Sequence, residues 1–578
     1  MFKLLLKYTK DGWWAAILGP LFVIIEVVFD VYIPRVMSAL IDTGITQRGG
    51  DMQFIVKMGW LMVALALGAA VTGALSGLFA SIASARFVRN IRNAMYESIQ
   101  RFDFTNIDKF PVNTVVTRIT SDMRQLRMAY TSIVRMMVRT PINLLMSAYM
   151  VFTINSSLAR IFLVAVPVLG IGLYLISTNA HPLFVKMLKK LDNLNGILKE
   201  NLAGIRVVKA FVRQDYEINK FSEISEDVTE NQRTAEKLVN LTQPLFELVM
   251  YVCMICIAWF GGRLIIKGEL TVGEFMSYLT YVKNILFSLM GLSQSMMMIV
   301  FAEAAVTRAN ELLDEKPTLD DSTADPNLLV ENGEIEFRNV SFRYFENAEK
   351  DTLSDINLKI NSGEVIGILG TTGASKTTLV SLIPRLYDAT AGEIYIGGRN
   401  IKDYKLHNLR EAVSMVLQKN VLFSGTIAEN MRWGKPDATM EEIVQACKYA
   451  QADDFIQQFP DKYETELGQG GSNVSGGQKQ RLCIARALMK NPKIIIMDDS
   501  TSAVDTDTDH RIQLALKEAL GHMTTIIIAQ RVASVKEADK IIIMDGGKIQ
   551  DIGTHEELFE RNTVYHDLYV TQTEGVSE

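Results

Sequence analysis

A glycine-rich segment that follows a short apolar run has the composition of a phosphate-binding loop. The run 365–369 leads into GTTGASKTT at 370–378. This fits the pattern G-x-x-x-x-G-K-[ST], except that a serine stands where the last glycine is expected. In such a loop, backbone N–H groups and a helix N-terminus hold phosphates, the lysine neutralises them and the next hydroxyl binds Mg²⁺. The candidate phosphate-binding residues are Gly370, Thr371, Thr372, Gly373, Ala374, Ser375, Lys376, Thr377 and Thr378.

A second segment supplies a carboxylate at the end of an apolar run. Residues 494–497 are IIIM and precede Asp498, which is the arrangement of a Walker B strand whose terminal carboxylate holds Mg²⁺ through water. A buried strand that ends at a solvent-facing aspartate would give the same pattern. The phosphate-binding loop upstream favours the metal role, so we predict that Asp498 and the Thr377 hydroxyl both contribute to Mg²⁺ binding.

A third segment combines a helix start with two glycines. Ser475 and Gln478 are three residues apart, which is the spacing of a capping box, and Gly476 and Gly477 let a phosphate approach the free N–H groups. An ordinary capped helix would share this pattern. The segment VSGGQKQR at 474–481 is, however, similar to the signature of the ATP-binding cassette (ABC) family, usually written LSGGQ, with Val474 in place of leucine.

The resemblance to an ABC nucleotide-binding domain covers residues from about 335 to about 570 and implies further roles. Tyr344 matches the aromatic residue that stacks on the adenine of ATP. Gln418 matches the Q-loop residue that touches Mg²⁺ and contacts the membrane domain. The sequence SAVD at 502–505 resembles the D-loop, which crosses the interface between two such domains. The ligands that this resemblance implies are ATP and Mg²⁺.

Three positions depart from the family pattern. Asp499 stands where a glutamate normally orients the attacking water, and Gln530 stands where a histidine normally contacts the γ-phosphate. Shortening the carboxylate arm misplaces it by about 1 Å, which can cost on the order of 100-fold in rate, and a glutamine cannot exchange a proton. Ser375 costs about 1–2 kcal/mol if its backbone is left-handed. We therefore predict that the site with Asp499, Gln530 and Gln418 at its catalytic positions binds ATP and hydrolyses it poorly.

An intact signature beside these departures resembles one half of the heterodimeric bacterial ABC exporters. In those proteins, each of two ATP sites combines the phosphate-binding loop of one chain with the signature of the other. The resemblance implies a partner half-subunit that carries the consensus glutamate and histidine. Ser475, Gly476, Gly477 and Gln478 of this chain would complete the hydrolytic site of that partner. A homodimeric exporter with low ATPase activity is the alternative.

The elements that position these residues fall into two parts. Residues 333–578 alternate short apolar runs with helical stretches, which indicates an α/β P-loop domain with buried parallel strands. Residues 311–332 are acidic and contain proline, which is typical of a linker. Residues 1–310 predict an all-α membrane domain of six long helices, because six apolar segments have spanning length. These segments lie near 14–38, 54–84, 128–153, 157–178, 242–266 and 274–301.

Charge indicates the orientation of the chain in the membrane and argues against one class of partner. Lys3, Lys7 and Lys10 at the start, and the basic stretch after the second segment, are cytoplasmic by the positive-inside rule. Six crossings then place both termini and the nucleotide-binding domain in the cytoplasm of a multi-pass cell-membrane protein. The charged periodic stretches after the second and fourth segments predict membrane helices that continue into the cytoplasm. The net charge of -6 argues against a nucleic-acid partner.

The first apolar segment carries two carboxylates, Glu26 and Asp30, one helical turn apart. Intramembrane carboxylates usually face a cavity or a partner charge. They could attract cationic substrates, or they could pair internally with Arg35, Arg135 or Arg139, and the sequence leaves both interpretations open.

Six spans fused to an ATP-binding part exclude a soluble ABC ATPase and disfavour an importer. The predicted function is ATP-driven export of lipophilic or drug-like small molecules in contact with membrane lipid. Export of lipid or peptide substrates is an alternative. A channel that ATP binding gates without pumping is another.

Overall fold

The computed structural model describes residues 6–47, 51–345, 348–499, 506–519 and 521–574. The predicted D-loop at 502–505 lies outside the described residues. The chain divides into two compact units. The helical unit comprises Met1–Gln100 and Pro111–Glu315, and the sheet unit comprises Arg101–Phe110 and Lys316–Glu578.

Long helices dominate the first 314 residues. Among the described residues, six helical segments are long and apolar enough to cross a membrane: Lys10–Ile45, Met52–Arg101, Val112–Ile154, Ser156–Ala203, Gln214–Ile266 and Val272–Asp314. The shortest has 36 residues, and about 20 suffice for the hydrocarbon core. The predicted six-helix membrane domain is thus confirmed. The second and fourth of these helical segments continue beyond the apolar segments, to Arg101 and Ala203.

The helices up to residue 314 are α1 Trp13–Ala39, α2 Met52–Arg101, α3 Phe104–Lys109, α4 Val112–Thr117, α5 Met123–Thr131, α6 Met137–Ile154, α7 Ser156–Ala203, α8 Ile205–Ala210, α9 Gln214–Val239, α10 Thr242–Ile266 and α11 Val272–Asp314. Of these, α3 belongs to the sheet unit. Three π-helical turns, Leu40–Gln47, Arg118–Asp122 and Ser132–Met136, adjoin α1, α4 and α6.

The helix α1 packs against α11 around a proline. Pro34 lies inside α1, where its ring disturbs the local backbone hydrogen bonding. Two side chains of α11 donate hydrogen bonds to carbonyls in this stretch: Tyr281 donates to Val31 over 2.7 Å, and Ser277 donates to Pro34. These two hydrogen bonds hold α11 against the proline-containing turn of α1.

The two carboxylates of α1 share one arginine of α6. Arg139 Nη1 lies 3.1 Å from Glu26 Oε1, and its Nη2 lies 3.1 Å from Asp30 Oδ2. Of the two interpretations that the sequence left open, the structure thus contains the internal ion pair, with Arg139 as its partner.

The sheet unit is built from twelve strands among its described residues: β1 Ile335–Phe342, β2 Leu353–Ile360, β3 Val365–Gly370, β4 Ala391–Ile396, β5 Arg399–Asn400, β6 Val413–Val416, β7 Gly425–Thr426, β8 Glu466–Leu467, β9 Ile494–Asp498, β10 Thr524–Ile528, β11 Lys540–Asp545 and β12 Lys548–Gly553. Its helices after α3 are α12 Lys376–Ser381, α13 Leu406–Ala412, α14 Ile427–Arg432, α15 Met440–Tyr449, α16 Asp453–Ile456, α17 Gly476–Leu488, α18 Thr506–Ala519, α19 His555–Arg561 and α20 Thr563–Glu574.

A six-stranded sheet with the order β12-β11-β3-β10-β9-β6 forms the centre of this unit. All its neighbouring strands are parallel except the edge pair β11 and β12. Every residue of β9 and β10 is buried, as expected for strands covered on both faces. A four-stranded antiparallel sheet, β2-β1-β4-β5, and the pair β7-β8 accompany it. The predicted α/β class is therefore confirmed.

The strand order determines where the functional residues meet. Ile528 near the end of β10 pairs with Ile368 of β3 on one side and with Asp498 of β9 on the other. Residues that follow these three parallel strands therefore lie along one carboxyl edge, which is the usual location of ligands in open α/β sheets.

Candidate nucleotide-binding site

The backbone of the loop that follows β3 is unusual at Gly370 and at Ser375. A Cβ at Gly370 would overlap the carbonyl oxygen of Met544 on the neighbouring strand, so only glycine fits there. Ser375 has φ +66° and ψ +26°, a left-handed conformation, and it precedes α12 without forming a side-chain cap. Because its backbone is left-handed, Ser375 carries the strain of about 1–2 kcal/mol that is expected for this conformation.

The loop lysine and the Walker B carboxylate lie at the base of the loop. Lys376 Nζ donates to the carbonyls of Gly370 and Thr371 over 2.8 and 3.0 Å. The Thr377 hydroxyl donates to Asp498 Oδ1 over 3.1 Å. These hard oxygen groups form a donor set that fits Mg²⁺. The structure therefore brings together two of the three predicted metal-binding residues.

Burial tunes the charges of this pair. It raises the pKa of Asp498, and the neighbouring Asp499 adds to the rise, whereas the Thr377 hydroxyl and Lys376 oppose it. Burial lowers the pKa of Lys376, against the attraction of the two aspartates. Asp498 and Asp499 place two carboxylates next to each other at the end of β9. A divalent cation bound there would offset their negative charge.

The third predicted metal residue contacts a different carboxylate. Gln418 Nε2 donates to Asp499 Oδ2 over 3.3 Å. Gln530 Nε2 donates to the same oxygen over 2.7 Å. The three residues at the predicted catalytic positions thus form one cluster, and two side-chain amides converge on one carboxylate oxygen.

A cleft of about 500 Å³ contains the phosphate-binding loop and this cluster. Its lining consists of the continuous stretch 369–378 and of residues from the neighbouring strand ends and α20: Gln418, Asp498, Asp499, Ile528, Gln530 and Leu568. The cleft therefore brings together the predicted phosphate-binding loop, the predicted metal-binding residues and the residues at the predicted catalytic positions.

Tyr344, the predicted adenine-stacking residue, lies next to this cleft. Its hydroxyl is 3.0 Å from Thr378 Oγ1, and Thr378 lines the cleft. The Tyr344 ring contacts Phe342 and Tyr387 edge to face, at centroid distances of 4.9 and 5.3 Å. The side chain is 38% exposed, so part of the ring remains accessible to a base.

The signature lies elsewhere on the sheet unit. Ser475 precedes α17 and forms the predicted capping box: its N–H donates to Gln478 Oε1 over 2.9 Å, and the Gln478 N–H donates to Ser475 Oγ over 3.3 Å. Of the residues that the structure describes, none from the signature Ser475–Gln478 lines the cleft. The phosphate-binding loop and the signature therefore lie at different places on the sheet unit.

Sequence reasoning missed a contact between α3 and the remainder of the sheet unit. Asp108 Oδ2 accepts a hydrogen bond of 2.7 Å from the Tyr387 hydroxyl, and the Phe104 ring lies edge to face with Tyr387 at 5.9 Å. Tyr387 in turn contacts Tyr344. Asp103 and Asn106 form a capping box at the start of α3, but nothing local in the sequence indicates the distant partner of this helix.

Two family models match the chain: the ABC transporter transmembrane region over residues 16–290 and the ABC transporter over residues 353–502. The chain is also 33% identical over 577 residues to the ABC transporter ATP-binding protein YknU of Bacillus subtilis, across 98% of this chain and 96% of that protein. The chain belongs to the ABC transporter family. The resemblance inferred from the signature is thereby confirmed.

Two further similarities place this ABC transporter among fused half-transporters. It is 34% identical over 485 residues to an ATP-dependent lipid A-core flippase of Desulfotalea psychrophila, across 84% of each chain. A solved structure of a bacterial Atm1-family ABC exporter with ATP bound has the same fold, with a TM-score of 0.84 at 24% identity over 96% of this chain and 99% of that chain. This ABC transporter is therefore a multi-pass membrane protein of a family that couples ATP hydrolysis to transport, normally with Mg²⁺.

Proposed function

We propose that this chain is one subunit of an ATP-driven exporter of lipophilic or drug-like compounds. Its own phosphate-binding loop holds ATP in a weakly hydrolytic site, and its signature completes the hydrolytic site of a second, different half-transporter. In this proposal both termini and the nucleotide-binding domain of the multi-pass protein lie in the cytoplasm, which the basic start of the chain and the basic stretch after the second span support.

The observation that carries this proposal is the hydrogen bond from Gln530 to Asp499. A base that activates water needs a free carboxylate oxygen within reach of the proton that it takes. Here Asp499 Oδ2 accepts from both Gln530 and Gln418. The carboxylate arm is also one methylene shorter than a glutamate, and neither amide can receive a proton. This arrangement supports ATP binding over hydrolysis.

The signature supports the second half of the proposal. Ser475 and Gln478 cap α17, a helix of 13 residues, reciprocally. The capping box fixes the first turn of this helix, whose N-terminus can bind an anion. Because this turn does not line the chain's own cleft, a nucleotide would reach it from a second nucleotide-binding domain. The chain combines an intact signature with the impaired water-activating pair of Asp499 and Gln530. This combination favours a dimer in which the two ATP sites hydrolyse ATP at unequal rates.

The test compares the purified full chain with the same chain co-purified with a half-transporter that carries the consensus glutamate and histidine. We expect the pair to hydrolyse ATP more than tenfold faster than the chain alone, and to accumulate a lipophilic dye in vesicles against its gradient. Lys376→Ala in this chain is the control for nucleotide binding. The proposal fails if the chain alone turns over about 1–10 ATP per second, an ordinary enzyme rate. Dissipative flux without accumulation would instead support a gated channel.

Lipid export is the second candidate, and one comparison favours it. The similarity to a lipid A-core flippase covers 84% of this chain. Transport of labelled lipid between the leaflets of the same vesicles separates this candidate from export of lipophilic or drug-like small molecules.

A further inference from the structure

A polar cluster inside the helical unit is separate from the residues of the ATP site. Arg139 of α6 bridges Glu26 and Asp30 of α1 over 3.1 Å to each carboxylate. The Glu26 side chain is only 8% exposed. Charged side chains in membrane spans are costly and mark substrate or ion pathways. The cluster is therefore a candidate site for a transported compound.

Glu26 presents an unsatisfied acceptor. Its Oε1 faces Arg139, but its Oε2 is buried and has no hydrogen-bond donor among the described residues. The carboxylate lies against Gly73 of α2, where a Cβ would stand 3.0 Å from Oε1. A buried carboxylate oxygen without a donor is unfavourable, so the position favours a ligand that donates an N–H or O–H.

Arg135 presents an unsatisfied donor. It lies in the π-helical turn Ser132–Met136 that precedes α6, and its Nε is buried without an acceptor among the described residues. Its Nη1 lies 3.6 Å from the position that a Cβ at Gly77 would occupy. The guanidinium is a strong donor for phosphate or carboxylate oxygens. This position therefore favours an anionic group.

The helix α2 sets the distance between the two groups. Gly73 and Gly77 are four residues apart, so they share one face and lie about 6 Å apart along the axis. Ser76 lies between them, fully buried, and its hydroxyl also lacks a partner in the described part of the chain. An unsatisfied acceptor and an unsatisfied donor thus stand one helical turn apart, with a hydroxyl that can donate or accept in between.

We propose that this cluster binds a zwitterionic headgroup that carries a protonated amine and a phosphate. The ammonium would donate to Glu26 Oε2, and the phosphate oxygens would accept from Arg135. The formal charges of Glu26, Asp30, Arg135 and Arg139 cancel, so a ligand without net charge fits better than a lone cation or anion. The proposal rests on the proposed export function and names its substrate class as amphiphiles with an aminoalkyl phosphate headgroup.

The proposed hydrogen bond from the ligand ammonium to Glu26 Oε2 predicts a selectivity between lipid headgroups of equal charge. A primary ammonium has N–H donors for Glu26 Oε2, whereas a quaternary ammonium of the same charge has none. Phosphatidylethanolamine should therefore bind more tightly than phosphatidylcholine, although both are zwitterionic. Phosphatidylglycerol has the phosphate without the ammonium and should also bind weakly.

The experiment measures binding of these three lipids, each with the same fluorescent acyl chain, to the full chain in detergent without ATP. We expect phosphatidylethanolamine to bind at least about tenfold more tightly than the other two. Glu26→Gln should remove most of this preference, because it weakens phosphatidylethanolamine binding far more than phosphatidylcholine binding. Arg135→Gln should weaken both zwitterionic lipids. Lys283→Gln changes an exposed cation of α11 and serves as the matched control, with no effect expected.

Ser76→Ala keeps the proposal testable if the charge variants do not fold, because the hydroxyl has no partner to lose. It should weaken phosphatidylethanolamine binding a few-fold.

Equal binding of phosphatidylethanolamine and phosphatidylcholine, or equal losses for both in Glu26→Gln, would overturn the site. Because the assay contains no ATP, that result leaves the export function intact. Loss of ATP-driven accumulation with lipid selectivity retained would overturn the export function instead. If free O-phosphoethanolamine displaces the labelled phosphatidylethanolamine, the site recognises the headgroup alone. If it does not, the site recognises the headgroup only as part of a lipid.

Discussion

The side-chain amide of Gln530 donates a hydrogen bond of 2.7 Å to Asp499 Oδ2. Asp499 itself has φ +46°, and its N–H donates to the carbonyl of Ile528 over 3.0 Å. The backbone of β10 therefore fixes the residue whose side chain Gln530 holds. Changes at Asp499 and Gln530 should consequently depend on each other, as is usual for residues in direct contact.

The first prediction concerns this pair. Asp499→Glu alone should raise ATP hydrolysis by the isolated chain only about two- to threefold, because Gln530 still occupies the carboxylate, whereas the double change with Gln530→His should raise it at least tenfold. Steady-state ATPase rates of the wild type, both single variants and the double variant measure the coupling. Adding Lys376→Ala to the double variant controls for hydrolysis elsewhere. A full gain from Asp499→Glu alone would mean that Gln530 does not restrain the carboxylate.

The second prediction concerns the strained serine of the loop. Ser375 has φ +66°, so Ser375→Gly should relieve about 1–2 kcal/mol and raise ATP affinity up to about tenfold. Ser375→Ala keeps the Cβ and the strain, and is the matched control with near-wild-type affinity. Binding of a fluorescent ATP analogue and the melting temperature with Mg²⁺-ATP measure both effects. Equal affinities for the glycine and alanine variants would show that the strain does not affect binding.

Local sequence patterns predicted the parts of the site that are encoded within a few residues. The capping box of Ser475 and Gln478 depends on a three-residue spacing, and the predicted box forms. The contact between Thr377 and Asp498, 121 residues apart, follows only from the strand order that places β3 and β9 on either side of β10. The sequence motifs identified both residues, but only the strand order of the sheet explains why they lie within hydrogen-bond distance of each other.

Long-range side-chain contacts were beyond the sequence. Gln530 and Asp499 were named separately as departures from a family pattern, and their hydrogen bond depends on the register of β9 and β10. Asp103 bonds to Thr318 across 215 positions, and no local pattern encodes such a pairing. The apolar segments predicted the six spans because hydropathy reports composition, but the π-helical turn that carries Arg135 depends on packing.

The third prediction is a pH dependence at Asp103. Burial disfavours its charge, but hydrogen bonds from the Thr318 hydroxyl and from the N–H groups of Asn106, Leu319 and Thr318 outweigh it and hold the pKa of Asp103 below its usual value. A lowered pKa gives stability that is present above the unfolded value of about 3.9 and is lost as the pH falls through the folded value. Asp103→Asn should therefore lower the melting temperature most at neutral pH.

The measurement is the difference in melting temperature between wild type and Asp103→Asn at pH 7 and at about pH 3.5. The difference should shrink at the lower pH, where the wild-type carboxylate begins to protonate. Asp108→Asn is the control: Asp108 accepts one bond from Tyr387, so its effect should be smaller. A difference that does not change with pH would exclude the ionised carboxylate as the stabilising group.

The last prediction separates the two nucleotide sites that the proposed heterodimer contains. If the signature of this chain serves the partner's site, the N–H groups at the start of α17 would hold the γ-phosphate where hydrolysis occurs. A side chain at Gly477 would block that approach, so Gly477→Asp should cost the heterodimer at least about 100-fold in ATPase rate.

Asp499 lies in the chain's own cleft, where Gln530 and Gln418 already hold its Oδ2. Asp499→Ala should therefore cost only a few-fold, since little hydrolysis depends on it. The two variant heterodimers are assayed side by side for steady-state ATPase, and ATP-analogue binding verifies that each retains its nucleotide sites. A larger loss from Asp499→Ala than from Gly477→Asp would place hydrolysis at this chain's own phosphate-binding loop, and the roles of the two sites would then be reversed.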